Sequence, residues 1–367
     1  AEVFQGKRPG YNYGRQLNPT VTALQNKISA MEDGLASAAF ATGMGAISST
    51  ILSLLKQGDH IVSSAYLFGN TNSFFGTIQN LGIEVSFVDA TDVENVAAAI
   101  KDNTRLVFVE TIANPVTQIA DLLPIGQLCR EKGVIYCVDN TMTSPHLFTP
   151  KSVGASLVVN SLTKYIGGHG NALGGAITDT GLFDWEQFPN ISDSYKGQDP
   201  SLWGITQIKK KGLRDMGASL GPEAAHHLAV GSETLSLRME KACRNAKAIT
   251  EFCDKHSKVK NVYYPGLSSH PQHKRAAELF RGFGALFSID LIDELDCFDF
   301  LNKLDSVVSS SNLGDTRTLA IPVAHTIYYE MGAERRASMG IADSMIRFSA
   351  GIEDVEDLLA DFEKALG

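Results

Sequence analysis

Three places in this chain stop an apolar run with a residue that can do chemistry. Lys164, in "NSLTKYIGGHGNALGG" (Asn160 to Gly175), follows the apolar "SLVVNS" and is followed in turn by glycines. A core strand end rarely keeps an unpaired ammonium. Desolvation there disfavours the charged form, so the amine becomes neutral and nucleophilic. Asp139 ends "VIYCVD", at the C-terminal edge where open α/β sheets bind ligands. A carboxylate behind such a run needs a partner, because stranding one member of a buried ion pair costs about 3–5 kcal/mol. Capping the next helix would also employ it. The third place is "FATGMGAISS" (Phe40 to Ser49), where an apolar run breaks at Thr42-Gly43 and a helix is expected to open after Gly45. Backbone N–H groups at a helix start hold a phosphate well. Taken alone, the same glycines serve a plain turn. They lack the third glycine of a dinucleotide fingerprint and the G-K-[ST] of a P-loop.

Taken together, these needs describe pyridoxal 5'-phosphate: a phosphate to cradle, a pyridine nitrogen whose proton must be kept, and an aldehyde for an amine to capture. Asp139 would pair with the pyridinium and preserve the ring as an electron sink. Lys164 would form the Schiff base. The glycines after it would let a planar ring approach the backbone with no Cβ in the way.

The elements that must position these residues follow from alternation. Between residues 20 and 180, short apolar runs ("SAAFAT", "HIVSS", "EVSFV", "RLVFVE", "VIYCVD", "SLVVNS", "GGAITD") alternate with helical patterns near 20–32, 45–56 and 93–101. Continuously apolar strands of this kind are covered on both faces by crossover helices. After residue 213 the rhythm changes: one long amphipathic helix is expected from Pro222 past Cys243, then "NVYYP", "GALFSID", "MIRFSAG" and a closing helix near 354–365. The expected units are an arm at 1–20 that meets a neighbouring subunit, a cofactor-binding domain at 21–240 and a smaller α+β domain at 241–367.

Composition narrows the class. Of 367 residues 44% are apolar and 20% charged, with a formal charge of −9, and no apolar run is long enough for a membrane span. Concentrated positive charge, which nucleic acid and anionic membranes demand, is missing. The basic "KKKG" (Lys209 to Gly212) reads as a solvated loop. Five scattered cysteines without C-x-x-C spacing suit a reducing, cytoplasmic compartment and indicate no zinc site. His226 and His227, about 100° apart on a helix, cannot share a metal.

The motifs "YGRQLNPT", "ATGMGAI", "VETIANP", "VDNT", "SLTKYIGGHG" and "RFSAGIED", in this order over nearly the whole chain, resemble the Cys/Met-metabolism group of pyridoxal-phosphate enzymes. The resemblance implies the pyridoxal-phosphate transferase fold, aspartate aminotransferase-like: an α/β large domain with a mostly parallel mixed sheet, plus a smaller C-terminal domain. It implies that Lys164 carries the cofactor and moves protons, and that Asp139 holds the ring nitrogen with Thr141 behind the ring. Gly43 and Met44 would bind phosphate, joined by Ser161 and Thr163. Tyr13 and Arg15 would reach the phosphate of a neighbouring subunit, which makes a dimer obligatory and a dimer of dimers the expected assembly. Glu110 and Asn114 would shape the pocket, and Arg347 would clamp the substrate carboxylate. The chain begins close to the first of these motifs, so an N-terminal arm seen in relatives is expected to be absent or not included.

One departure bears on the reaction. Relatives carry tyrosine where this chain has Phe68, which can stack on the ring but cannot donate a proton. Asn312 in "SNLGDTRTL" resembles sulfhydrylases, whereas lyases and synthases carry "SLGG". "IPVAHTIYYEMG" (321–332) departs from the usual pattern. The expected activity is a transferase of sulfur amino-acid metabolism and methionine biosynthesis. It would exchange the acyl group of an O-acylhomoserine, O-acetylhomoserine first, for sulfide or a thiol, giving homocysteine or methionine. The alternatives are a γ-lyase acting on methionine or cystathionine, and a cystathionine γ-synthase. Tyr13 of the neighbour or Tyr66 is expected to supply the hydroxyl that Phe68 lacks.

Overall fold

All seven apolar runs before residue 180 become strands of one sheet. In a computed structural model that describes residues 2–3, 7–8 and 10–367, they are β1 (Ala36–Phe40), β2 (His60–Ser64), β3 (Glu84–Val88), β4 (Thr104–Glu110), β5 (Ile135–Asp139), β6 (Leu157–Ser161) and β7 (Gly175–Asp179). Their order is β1-β7-β6-β5-β4-β2-β3. The pairs from β3 to β6 are parallel, and β7 runs antiparallel to both β6 and β1. Helices α1 (Pro19–Met31), α2 (Gly43–Leu54), α3 (Gly69–Gln79), α4 (Val93–Ala99) and α5 (Leu122–Lys132) accompany it. Two apolar layers sandwich the sheet: alternate residues of β4, for example, divide between them, Val107 and Val109 to one and Leu106 and Phe108 to the other. That division is why these strands read as unbroken apolar runs.

Local chemistry sets the helix ends. Asn18 Oδ1 accepts from the N–H groups of Thr20 and Val21, with Pro19 first in α1. Gly133, at φ 65°, ends α5 in the left-handed region. Helix α2 opens at Gly43, two residues before the expected start, because Thr42 Oγ1 caps it by accepting from Gly45 N at 2.8 Å.

The second sheet has order β10-β11-β12-β9-β8, from β8 (Val259–Tyr263), β9 (Leu286–Leu291), β10 (Val308–Ser309), β11 (Leu319–Pro322) and β12 (Met345–Ser349). The long helix expected from Pro222 is two helices, α6 (Pro222–Ser232) and α7 (Leu235–Cys253). Two contacts explain the break. Gly231 lies so close to Gly167 that a Cβ would sit 2.0 Å from Gly167 O. Arg238 also donates to Gly231 O, Tyr165 O and Ile166 O, so the chain turns around its guanidinium. Helix α7 spans residue 240, and Asn245 within it donates to Gly351 O and Glu353 O beside the second sheet. "KKKG" is not a loop: it lies in a π-helical stretch, Ile208–Asp215, packed on α2 with Lys209 half-buried.

Glu32, just after α1, is fully buried behind the strand ends. Its Oε1 accepts from Asn140 Nδ2 at 2.9 Å and Asn160 Nδ2 at 2.6 Å, while Glu32 Oε2 and Asn160 Oδ1 have no partner among the described residues. Burial pushes this carboxyl up from 4.5 to about 7, against the pull of the two amides. Below pH 4.5 the folded and unfolded states are both protonated at Glu32. As pH rises toward 7 the unfolded chain ionises first, so the stabilising contribution of the bound proton is lost across that window, ~3 kcal/mol in all. Glu32→Gln should remove that share of the pH slope. Urea unfolding of both proteins from pH 5 to 8 measures it, and parallel slopes would refute the assignment.

Candidate active site

The carboxyl ends of β4, β5 and β6 deliver Glu110, Asp139 and Ser161 to one cavity of about 760 Å³, also lined by Gly43, Met44, Asn114, Thr141, Thr163, Lys164, Asn312 and Arg347. Phe68 lines it as well and is 41% exposed. These residues come from segments 300 positions apart, and only the sheet and the 311–314 loop bring them together.

At one side lies a cradle for an anion. The N–H groups of Gly43 and Met44 stand first in α2, where a helix offers no internal acceptor. Gly43 packs against Ser161 so tightly that a Cβ would lie 2.9 Å from the serine Cβ. Thr163 also lines the cavity, its Oγ1 donating to the Gly174 carbonyl at 3.2 Å and accepting from the Gly174 N–H at 3.1 Å. The Ser161 side chain stands beside the helix start.

Asp139 is held by Thr141, whose N–H and Oγ1 both donate to Oδ1, at 3.0 and 2.5 Å. The same threonine oxygen accepts from Ser161 N at 2.8 Å. Thr141 thus fixes the carboxylate and leaves Oδ2 for a ligand. Glu110 pairs in register with Asp139 across the parallel strands. Burial, then the charge of Asp139, pushes Glu110 well above the carboxylate range, and burial pushes Asp139 up too. A cation delivered to Asp139 Oδ2 would relieve both. Glu110 Oε1 accepts from Phe68 N at 2.6 Å, which anchors the start of α3 and the ring of Phe68.

Lys164 Nζ donates to Asn312 Oδ1 at 2.7 Å. Burial, then the charge of Arg347, lowers its amine from 10.5 to about 8, so a substantial neutral fraction exists near pH 8. The loop carrying Asn312 is pressed onto the lysine's own backbone: Gly314 has φ 74°, and a Cβ there would lie 2.6 Å from Tyr165 N. Arg347, on β12, is 2% exposed. Its Nη2 donates to Ser311 O and Asn312 O, both at 3.0 Å, yet its buried Nε has no partner among the described residues. A buried guanidinium with an unused N–H suits a carboxylate ligand. The donor set, the tight Gly43 cradle, the unclaimed Oδ2 and the lowered amine all fit pyridoxal phosphate.

Three expected residues lie elsewhere in the chain. Tyr13 is 56% exposed, and Arg15 stacks on it at 5.1 Å and donates to Arg214 O, so neither lines this cavity. Tyr66 donates to Asp89 Oδ2 at 3.4 Å and also lies outside the lining. Tyr328 does line the cavity, buried, donating to Asn114 O at 2.6 Å. Sequence reasoning did not single it out, and its only signal was the departure of "IPVAHTIYYEMG" from the family pattern.

The whole chain, residues 1–367, matches the family model for Cys/Met metabolism PLP-dependent enzymes. An L-methionine gamma-lyase of Fusobacterium nucleatum subsp. polymorphum is 40% identical over 99% of this chain and 88% of its own. An O-acetyl-L-homoserine sulfhydrylase of Thermus thermophilus is 39% identical over 100% and 90%. Among solved structures, a putative O-acetylhomoserine (thiol)-lyase of Campylobacter jejuni, which carries a pyridoxyl-lysine phosphate, superposes with a TM-score of 0.94 at 30% identity, covering 100% of this chain and 90% of that one. A cystathionine gamma synthase of Xanthomonas oryzae gives 0.89 at 32%, over 98% and 88%. Pyridoxal phosphate is the cofactor, and the chain belongs to the Cys/Met-metabolism family of enzymes that use it.

Proposed function

We propose that this enzyme replaces the γ-acyloxy group of an O-acylhomoserine, O-acetylhomoserine first, with sulfide or a thiol, giving homocysteine or methionine. One observation carries the choice: no phenol is free to protonate a leaving group among the described lining residues. Phe68 has no hydroxyl, and the one phenol of the lining, Tyr328, gives its proton to Asn114 O. A thiolate leaves poorly without an acid, whereas a carboxylate is a far weaker base, roughly 4 against 8.5 on the reference scale.

Pyridoxal phosphate, when bound, would supply an electron sink for the charge left as a proton leaves the substrate's α-carbon. The chain supplies the rest. Gly43 N, Met44 N and Ser161 Oγ bind the phosphate, and Asp139 Oδ2 keeps the proton on the ring nitrogen. Arg347 fixes the α-carboxylate, with Asn114 beside it. Lys164 Nζ, once free, takes the proton from Cα, then one from Cβ as the acyloxy group leaves Cγ, and returns protons to Cβ and Cα after the thiol has added at Cγ. Asn312 Oδ1 accepts from that amine and holds it over the cavity. The exposed, mutually stacked Tyr13 and Arg15 serve the cavity of a second subunit, so the active unit is a dimer, paired into a tetramer. The five free cysteines support a cytoplasmic location.

The 40% identity to a methionine gamma-lyase favours a second reading, γ-elimination from methionine. Homocysteine formed from O-acetylhomoserine plus sulfide is expected to outpace 2-oxobutanoate formed from methionine. Faster turnover of methionine would overturn the replacement reading.

A further inference from the structure

We infer that Glu32 is a protonated positioning residue: its acid O–H completes a paired hydrogen bond with the Asn160 amide, and this tie holds Asp139 and Ser161 at the spacing pyridoxal phosphate needs. The inference is independent of which leaving group and which thiol react. Asp139 and Ser161 close β5 and β6 and line the cavity. Side chains alternate along a strand, so the adjacent Asn140 and Asn160 turn to the other side of the sheet. There both donate to one oxygen, Glu32 Oε1, at 2.9 and 2.6 Å. Past the backbone bond from Asn140 N to Val159 O, at 2.9 Å, side chains join the two strand ends. Thr141 Oγ1 does so on the cavity side by accepting from Ser161 N, and Glu32 does so on the other.

The tie runs back to Asp139. Asn140 Nδ2 also donates to Phe148 O, and Asn140 Oδ1 accepts from Thr143 Oγ1. Thr143 shares a hydrogen bond with Thr111, whose N–H donates to the carbonyl of Asp139. Glu32, Thr111, Asn140, Thr143 and Asn160 are all buried within this one chain.

Two acceptors are left over, Glu32 Oε2 and Asn160 Oδ1, both buried and without a partner among the described residues. They belong to two planar groups already joined by the bond from Asn160 Nδ2 to Glu32 Oε1. A carboxylate would leave both orphaned. A carboxylic acid satisfies both with one proton, since Oε2–H donates to the amide oxygen while the amide N–H donates to Oε1. Burial, against the pull of the two amides, places this carboxyl at about 7, and no neighbouring charge contributes. The charged groups on the elements packed around it are engaged elsewhere. Lys27 of α1 pairs with Glu233 at 3.7 Å, Asp33 with Lys151 at 3.3 Å, and His146 faces Glu240 at 3.9 Å, while Asp139 faces the cavity. Below pH 7 the tie is complete. Above it, ionised Glu32 sets a carboxylate against the Asn160 carbonyl, and the neighbouring Ser161 loses its support.

Glu32→Gln tests this, because its amide offers a donor where the acid has its proton and keeps the acceptor at Oε1, so it holds the tie at every pH. The infrared difference between the wild-type and Glu32→Gln holoenzymes at about pH 6 should contain the carbonyl stretch of a protonated carboxylic acid, shifted in D2O and lost as pH rises through about 7. Absence of that band at pH 6 overturns the protonated assignment. The dissociation constant for pyridoxal phosphate, read from the absorbance of bound cofactor as each holoenzyme is diluted, gives the second measure. The ratio of wild type to Glu32→Gln should rise by about tenfold from pH 6 to pH 8.5, a coupling of ordinary size between linked sites. Taking the ratio removes the titration of Lys164, Glu110 and Asp139, which both proteins share. A ratio that stays constant with pH would overturn the positioning role.

Discussion

Lys164→Ala is expected to lower turnover by about 10⁴-fold or more, since removing a group on which several steps depend costs as much as removing the whole unit. The purified variant should keep the fold, because Lys164 is only partly buried and its side chain makes one hydrogen bond, to Asn312. It should hold pyridoxal phosphate without a covalent bond, so borohydride reduction would leave no label on the chain. Wild type is expected to retain the label at this residue. Unchanged activity, or label surviving the substitution, would remove the basis of the proposed mechanism. The same variant tests the shared site. Mixed with an inactive Arg15→Ala protein under conditions that exchange subunits, it should restore one site of each mixed dimer. That site has Lys164 from one chain and Arg15 from the other. No recovery on mixing would place Arg15 outside the neighbour's cavity.

Arg347→Lys is expected to lower kcat/KM by about 10²–10³-fold, the usual range for losing one partner of a buried, hydrogen-bonded charge pair. Lysine keeps the charge but not the two-pronged geometry that a carboxylate matches. Arg347 has one buried N–H without a partner among the described residues. The loss should therefore appear with amino-acid substrates and vanish with an amine analogue that lacks the carboxylate. Equal losses on both would mean that Arg347 only holds the 311–312 carbonyls in place. A thermal unfolding midpoint measured alongside reads that structural part separately.

What could be read from the residues before any coordinates was set by locality. Each large-sheet strand fell within two residues of its expected bounds, because a strand covered on both faces announces itself by composition alone. Lys164 and Asp139 were legible for the same reason: a charge at the end of such a run is conspicuous. The break between α6 and α7 was not, since apolar spacing continues across Glu233 and Thr234 and only contacts with Gly167 and the 165–166 carbonyls interrupt it. The π-helical stretch that holds Lys209 likewise depends on close packing, with Gly212 against Ser49 of α2. Tyr328 lies on irregular chain that carries no period, so nothing local told which way its ring would face.

Arg238 also decides where this enzyme can give. Its guanidinium reaches beneath Gly168 to clasp the carbonyls of Tyr165 and Ile166, a span of over 70 positions. The glycine run after Lys164, flexible by composition, is therefore a stiff floor. The yielding needed to admit a substrate and release a product is expected around the exposed lining residues Phe68 and Ile327.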